Sequence, residues 1–160
     1  MSDQTTHGQV TLKVRTMKSL IADAILVQLQ QVKRINYLSF DKVKLLASDF
    51  SEYEIPAIQL IDVSETVEHE MGRAKKTWQI ALELLLKGGS SGEVSQQDLW
   101  DLQYEVERKL WQRNKLNLGI KGVVHLRYLG SSTDLHLLEP YYFSRMDFEV
   151  LYYEALVRDC

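Results

Sequence analysis

The sequence predicts an α+β fold in which two helices pack on one face of a mainly antiparallel, four-stranded sheet. Apolar residues recur at helical spacing in two segments, and they alternate with polar residues in four others. The segments follow one another in the order α-β-β-α-β-β. In an α+β domain of this order, the helices are expected on one face of the sheet.

The composition is that of one globular domain. The chain has 160 residues, of which 45% are hydrophobic, and we expect a flexible arm over 1–15 followed by a single core over 16–160. The 19 basic and 22 acidic residues give no general electrostatic basis for wrapping nucleic acid or lying on an anionic membrane. No apolar run is long enough to span a bilayer, and the first residues lack the profile of a signal peptide, so we expect a cytosolic protein.

The first predicted helix runs from Thr16 to about Lys33. It is apolar around much of its circumference, with Met17, Leu20, Ile21, Ala24 and Val32 on one side and Ala22, Leu26 and Leu29 on the other. Such a helix is usually buried on more than one face. Either a neighbouring subunit covers the second face, which makes Leu26 and Leu29 candidate interface residues, or the helix is central in a monomeric core.

Residues 35–54 are ambiguous. Val43 and Leu45 alternate with charged residues as in a short strand, whereas the acidic segment Asp49–Glu54 is typical of a loop or hinge. A short apolar strand is predicted over Ala57–Asp62. Pro56 suits the position before it, where no ladder donor is needed.

The charged segment Ser64–Lys76 precedes the clearest strand of the chain. Trp78, Ile80, Leu82, Leu84 and Leu86 alternate with Thr77, Gln79, Ala81, Glu83 and Leu85, which predicts a half-buried strand followed by a flexible Gly/Ser connection. The segment before it is either a solvated loop or a loop of alternating charge that docks on a partner. In the second case Glu68, Arg73, Lys75 and Lys76 are candidate contact residues.

The second predicted helix begins near Ser95, with Asp98 in its first turn, and continues to about Arg113. Leu99, Leu102, Val106 and Leu110 form its expected core stripe. Three aromatic residues, Trp100, Tyr104 and Trp111, form a second stripe beside it. They either widen the core or contact another subunit, since Trp and Tyr are enriched at interfaces.

Two further strands close the chain. In Val123–Leu129, Val124, Leu126 and Tyr128 are predicted to share one face, opposite Val123, His125 and Arg127. In Arg145–Glu154, the side chains of Met146, Phe148, Val150 and Tyr152 are predicted to share one side of the strand.

No catalytic, cofactor or metal motif is recognisable. His69 and Glu70 would begin an HExxH motif, but Arg73 stands where the second histidine is required. The other histidines have no ligand spacing, and the glycines near Gly88 do not form a phosphate loop. Cys160 is the one cysteine, so no internal disulfide can form, and we expect a bystander thiol. We therefore expect a protein that is not an enzyme and holds no cofactor or metal.

The succession of these segments resembles the tail terminator family of tailed bacteriophages, also known as tail completion proteins or minor tail proteins of the U type. The resemblance covers roughly residues 55–157. It rests on the segments Ile55–Leu60, Trp78–Leu84, Tyr104–Glu107, Val124–Gly130 and Asp147–Tyr153.

The resemblance implies a structural virion protein without enzymatic activity or cofactor. Such subunits assemble into a ring, typically a homohexamer, that caps the head-proximal end of the tail tube and ends its polymerisation. The implied partners are other copies of the chain, the tail tube protein, the neck or connector protein and, if the tail is contractile, the sheath. Genomic DNA would pass through the lumen without specific binding, and no membrane is involved. The protein would reside in the host cytoplasm during assembly and then in the virion tail or neck.

Other functions remain open at this point. A neck or head-closure protein, which joins head and tail, would bind the portal side but not the end of the tube. A small cytosolic enzyme would bring scattered carboxylates, or His125 and His136, together in a pocket. A regulatory binding domain is a third class.

Overall fold

The computed structural model describes residues 16–40, 50–88, 96–111, 117–133 and 141–155. These residues form an α+β fold with two α-helices and five strands. The elements are α1 (Met17–Leu29), β1 (Tyr37–Ser39), β2 (Ala57–Glu70), β3 (Arg73–Lys87), α2 (Gln96–Leu110), β4 (Val123–Thr133) and β5 (Tyr141–Ala155). A single 3₁₀ turn, Glu52–Glu54, precedes β2. The predicted arm over 1–15 lies outside the described residues.

The sheet is five-stranded and mixed, so the prediction of a four-stranded, mainly antiparallel sheet was wrong in its strand count. The strand order is β1-β2-β3-β5-β4. Every neighbouring pair is antiparallel except β1 with β2, which is parallel and aligns Tyr37 with Ala57. Sequence pattern missed β1 because three residues are too few to show a period of two. The strand suggested by Val43 and Leu45 lies outside the described residues.

Strands β2 and β3 form a long hairpin that the sequence did not predict. β2 continues beyond Asp62 to Glu70, and a turn at Met71–Gly72 leads directly into β3 at Arg73. Gly72 has a φ of +74°, a conformation that a residue without a side chain adopts at little cost. The charged segment Ser64–Lys76 is therefore an extended arm rather than a loop. The sequence shows no regular alternation of apolar and polar residues here, because most residues of this arm are exposed on both faces of the sheet.

One face of the sheet carries the main core, and both helices contribute to it. The residues predicted to share one face of β3, and those predicted to share one side of β5, are buried there together with the predicted core stripe of α2. Strand β3 supplies Trp78, Ile80, Leu82, Leu84 and Leu86, strand β5 supplies Met146, Phe148, Val150 and Tyr152, and α2 supplies Leu99, Leu102, Val106 and Leu110. The period-two and 3.6-residue patterns correctly predicted these faces.

Helix α1 buries a narrower stripe than predicted. Thr16 caps it, accepting a hydrogen bond from the Ser19 backbone N–H at 3.2 Å. The helix ends at Leu29, four residues before the predicted end at Lys33. Its buried residues, Ile21, Ala22, Ile25 and Leu29, come from both of the sides that the sequence pattern separated.

A smaller apolar cluster lies at one end of the opposite face of the sheet. It consists of Phe50, Ile55, Ala57 and Leu85, with Tyr37, Tyr141 and Phe143 packed against it. The rings of Tyr37 and Phe50 meet edge to face, with centroids 5.4 Å apart. This cluster secures β1 and the turn before β2, and the remainder of that face is mostly polar.

Strand β4 does not keep the predicted alternation. A register shift between Val123 and His125 places Val123 and Leu126 in the core and leaves Val124 46% exposed. The predicted grouping of Val124 with Leu126 on one face, opposite Val123, was therefore wrong. A β-bulge inserts one residue into a strand and reverses the phase of its alternation, which a strict period of two cannot represent.

Candidate interface surfaces

The aromatic stripe of α2, formed by Trp100, Tyr104 and Trp111, lies on the surface. Because the leucine and valine stripe fixes the rotation of the helix against the sheet, the three rings are directed away from the core. Their exposed fractions are 55%, 61% and 57%, so the interpretation that they widen the core was wrong. Trp111 directly follows the last residue of α2, and its backbone N–H donates to the Glu107 carbonyl at 2.8 Å, which continues the helical turn. At 100° per residue the three rings lie within about 40° of one another around the helix. The Arg108 guanidinium stands 5.7 Å from the Tyr104 ring centroid, at cation–π distance.

The two leucines proposed for a subunit contact on α1 differ in position. Leu29 is 0% exposed in the core, so its side chain is not available at the surface and that candidate is withdrawn. Leu26 is half-buried. The outward aliphatic side chain of this helix is that of Val27, which is 55% exposed and was not among the sequence candidates.

The hairpin arm brings together three of the charged candidates, Glu68, Arg73 and Lys75, on the sheet face opposite the helices. Lys75 Nζ lies 3.6 Å from Glu68 Oε2 across the hairpin, and Arg73 Nε lies 2.8 Å from Glu70 Oε2. The Arg73 guanidinium also stacks on the Tyr153 ring at 3.9 Å. Since these ion pairs are exposed, each contributes at most about 1 kcal/mol to stability.

The fourth charged candidate, Lys76, belongs to a polar cluster on the helix side of the sheet. Its Nζ lies 3.1 Å from Glu154 and 3.9 Å from Glu65. Lys18 of α1 approaches the same Glu65 at 3.4 Å and Asp62 at 3.6 Å. This arrangement ties α1 to the base of the hairpin, so Lys76 has an internal role.

Two buried aromatic donors complete this polar cluster. The Trp78 indole N–H donates to Asp62 Oδ1 at 2.8 Å, and the Tyr152 hydroxyl donates to Glu65 Oε2 at 2.7 Å. Tyr152 is 1% exposed. Its pKa is raised, first by burial and then by the hydrogen bond and negative charge of Glu65. The hydroxyl therefore stays protonated and continues to donate to the carboxylate.

The open face of the sheet contains a shallow depression of about 420 Å³. Val63 and Leu129 line it together with Gln79, Arg145 and Asp147. Arg145 Nε donates to Asp147 Oδ1 at 3.0 Å, so the two charges in the lining satisfy each other. Beside it, Glu83 has a raised pKa because it is partly buried, an effect that Arg145 partly offsets.

The groups named for an enzymatic site are not brought together in this depression. His125 lies on β4, with Nε2 4.0 Å from Glu149 Oε2, and Arg127 lies 2.7 Å from that same carboxylate. His136 lies outside the described residues. Across the described ranges, no group of three or more His, Cys, Asp or Glu side chains is arranged to hold a metal ion. Neither described helix is long and apolar enough to cross a membrane.

Comparison with known proteins gives no family assignment. No protein family model and no curated protein matches the sequence.

The sequence candidates omitted a set of exposed aliphatic side chains. Val63 and Val67 lie on β2, Met71 lies at the hairpin turn, and Val124 and Leu129 lie on β4. Met71 is 100% exposed. Val67 and Met71 lie within the charged segment and Val63 directly precedes it, so the three recur every fourth residue. This spacing was a signal that the segment was more than a solvated loop.

Proposed function

We propose that this protein is a structural subunit that forms a ring of identical copies. The ring would cap the head-proximal end of a bacteriophage tail tube, end its polymerisation and join the tail to the neck or connector. The observation that carries the proposal is the exposed aromatic stripe of Trp100, Tyr104 and Trp111 on α2. The core stripe of α2 packs against the sheet, so the fold does not bury these three aligned rings. Exposed, aligned Trp and Tyr side chains are typical of interface anchors.

The size of the stripe indicates the kind of contact it would make. A Trp or Tyr side chain can bury about 150–250 Å², so three half-exposed rings would bury roughly 300 Å². A stable interface needs about 800 Å² from each partner. The stripe would therefore be the centre of a larger contact, surrounded by the charged residues of α2 such as Arg108.

A ring of identical subunits needs two different, complementary surfaces on each copy. The helix layer provides an aromatic one. The opposite sheet face is polar, with Arg127 paired to Glu149 and Arg145 to Asp147, and would line the lumen. A surface of paired charges also suits a lumen through which DNA passes, because free lysines and arginines would bind phosphates and slow the passage.

The succession of segments that resembles tail terminator proteins supports this function over other ring-forming roles. On this proposal the protein has no catalytic activity and needs no cofactor, and it acts in the virion at the junction of tail and neck. The second candidate, a neck or head-closure subunit, follows from the same surfaces and differs in its partner. It would bind the portal side and leave the growing tube end free.

The test is the mass of the purified protein by light scattering, with negative-stain images of the same fraction. We expect discrete rings, or monomers that become rings when tail tubes are added and then stop tube growth. Trp100→Glu should abolish the ring and leave the circular dichroism spectrum unchanged, because the residue is more than half exposed. Tyr53→Glu is the matched control, since Tyr53 is an 89% exposed aromatic residue outside the stripe.

Three outcomes would count against these assignments. A strict monomer with no affinity for tubes would rule out the terminator function. Rings that bind portal assemblies but do not stop tube growth would assign the neck function instead. A folded Trp100→Glu variant that still forms rings would remove this stripe from the interface.

A further inference from the structure

In the described part of the chain, the sheet has an open strand at each of its two edges. β4 is the last strand on one side. On the other side, β1 pairs with β2 only from Ala57 to Gln59. The described residues place no strand beside the remainder of β2, from Leu60 to Glu70. An open edge presents unpaired backbone N–H and C=O groups that can pair with another strand.

We propose that these edges join copies of the protein, with β4 of one copy pairing with the Leu60–Glu70 segment of β2 in the next. The sheet would then continue across each subunit boundary. This inference rests on the proposed ring and specifies how its neighbouring subunits meet.

Strand direction fits this pairing. β2 is antiparallel to β3, β3 to β5, and β5 to β4, so β2 and β4 run in opposite directions within the sheet. Subunits placed side by side in the same orientation would therefore bring β4 beside β2 in the antiparallel sense. That arrangement is heterologous, and it can repeat around a closed ring.

The charges of the two edges are complementary. The segment from Asp62 to Glu70 contains the carboxylates of Asp62, Glu65, Glu68 and Glu70 and no Lys or Arg. Residues 121–133 contain Lys121, His125 and Arg127 and no Asp or Glu. The side chains of Asp62, Glu68 and Arg127 are 62%, 73% and 61% exposed, so they keep surface for a partner beyond their internal ion pairs.

Charge also selects this pairing over a two-fold dimer. A contact of β4 with β4 would place basic residues against basic residues, and β2 with β2 would place acidic against acidic. Like charges directly opposite each other destabilise a strand pair. The opposite signs on the two edges therefore favour β4 with β2.

Both edges also expose aliphatic side chains in matched numbers. Val63 and Val67 on β2 are 41% and 43% exposed, and Val124 and Leu129 on β4 are 46% and 43% exposed. Register shifts occur at Val63, Val124 and Leu129, which bend the edges and limit indiscriminate pairing. Between its two register shifts, β4 is regular from His125 to Tyr128. This segment would make a short and selective contact with β2 of the next copy.

The test is chemical cross-linking between the two edges. Cys160 is replaced by serine, and cysteines are introduced by Val67→Cys and Val124→Cys in the same chain. A bismaleimide reagent reaching about 10 Å, roughly two strand spacings, then joins any copies whose edges meet. We expect a ladder of covalent dimers, trimers and higher species up to the ring size on a denaturing gel. Each single-cysteine variant should stop at the dimer.

The control is the pair Val27→Cys and Tyr53→Cys in the same Cys160→Ser background, because both positions are exposed and neither belongs to β2 or β4. The edge pairing would be overturned if rings were seen by light scattering but the 67/124 pair gave no larger cross-linked species than this control. That result would leave the ring proposal intact. A chain that stays monomeric with and without tail tubes would overturn the ring proposal and this inference with it.

Discussion

At the scale of single residues, the polar cluster between α1 and the hairpin is centred on Glu65. Glu65 accepts from the Tyr152 hydroxyl at 2.7 Å and lies near both Lys18 and Lys76. A buried carboxylate is stable only when such partners compensate for its lost hydration. The cluster thus fixes the position of α1 relative to the strands that carry the proposed edge contact.

Replacing Tyr152 with phenylalanine should lower the free energy of unfolding by about 1 kcal/mol at neutral pH, because one hydrogen bond to a buried acceptor is lost. Above pH 10 the difference should narrow. The phenol titrates near 10.0 in the unfolded chain and at a higher pH in the folded one, so the unfolded state binds fewer protons there and stability falls as pH rises. Urea unfolding at several pH values measures both effects.

The matched control for this prediction is Tyr53→Phe, since the Tyr53 side chain is 89% exposed and lies outside the aromatic stripe. Its unfolding free energy should stay within about 0.5 kcal/mol of the unmodified protein. Equal losses in both variants would show that the Tyr152 hydroxyl has no special stabilising contact. The raised pKa would be contradicted if, above pH 10, the unfolding free energy of the unmodified protein fell no faster with pH than that of Tyr152→Phe.

At the scale of elements, α2 has two faces with separate roles, and its core stripe and aromatic stripe should respond differently to truncation. Leu102→Ala should cost about 2–5 kcal/mol in unfolding free energy, since Leu102 is 2% exposed and its loss leaves a cavity. Trp100→Ala should cost less than about 1 kcal/mol in the isolated subunit. Urea unfolding of the two variants under conditions where the protein is monomeric makes the comparison, and a large loss from Trp100→Ala would mean that this ring stabilises the fold.

The same contrast shows which elements the sequence could predict. The core faces of α2, β3 and β5 were predicted because each buries one regular stripe. The hairpin arm from Ser64 to Lys76 and the short β1 were not, because the arm is mostly exposed on both faces and β1 has three residues. Neither shows a regular alternation of apolar and polar residues. Val124 was assigned to the wrong face because a bulge changes the phase, and Leu29 was proposed for an interface because pattern alone cannot tell which side of an apolar helix meets the core.

At the scale of the whole molecule, three surfaces stand uncovered among the residues that the structure describes. These are the aromatic stripe of α2, the open edge of β2 and the open edge of β4. The estimated area of the stripe is below what a stable interface needs, and pairing of the edges would add to it. On the proposed assembly, neighbouring copies of the protein would cover all three.

Assembly should therefore appear in the thermal stability of the protein. A native state that binds further copies is stabilised by mass action, so the unfolding temperature of the unmodified protein should rise with protein concentration. At fixed ionic strength, Trp100→Glu should unfold at a temperature that does not depend on concentration, whereas Tyr53→Glu should behave as the unmodified protein does. Differential scanning calorimetry over a hundredfold concentration range would reveal this difference. Parallel behaviour of all three proteins would contradict assembly through the aromatic stripe, because only Trp100→Glu removes an anchor from that surface.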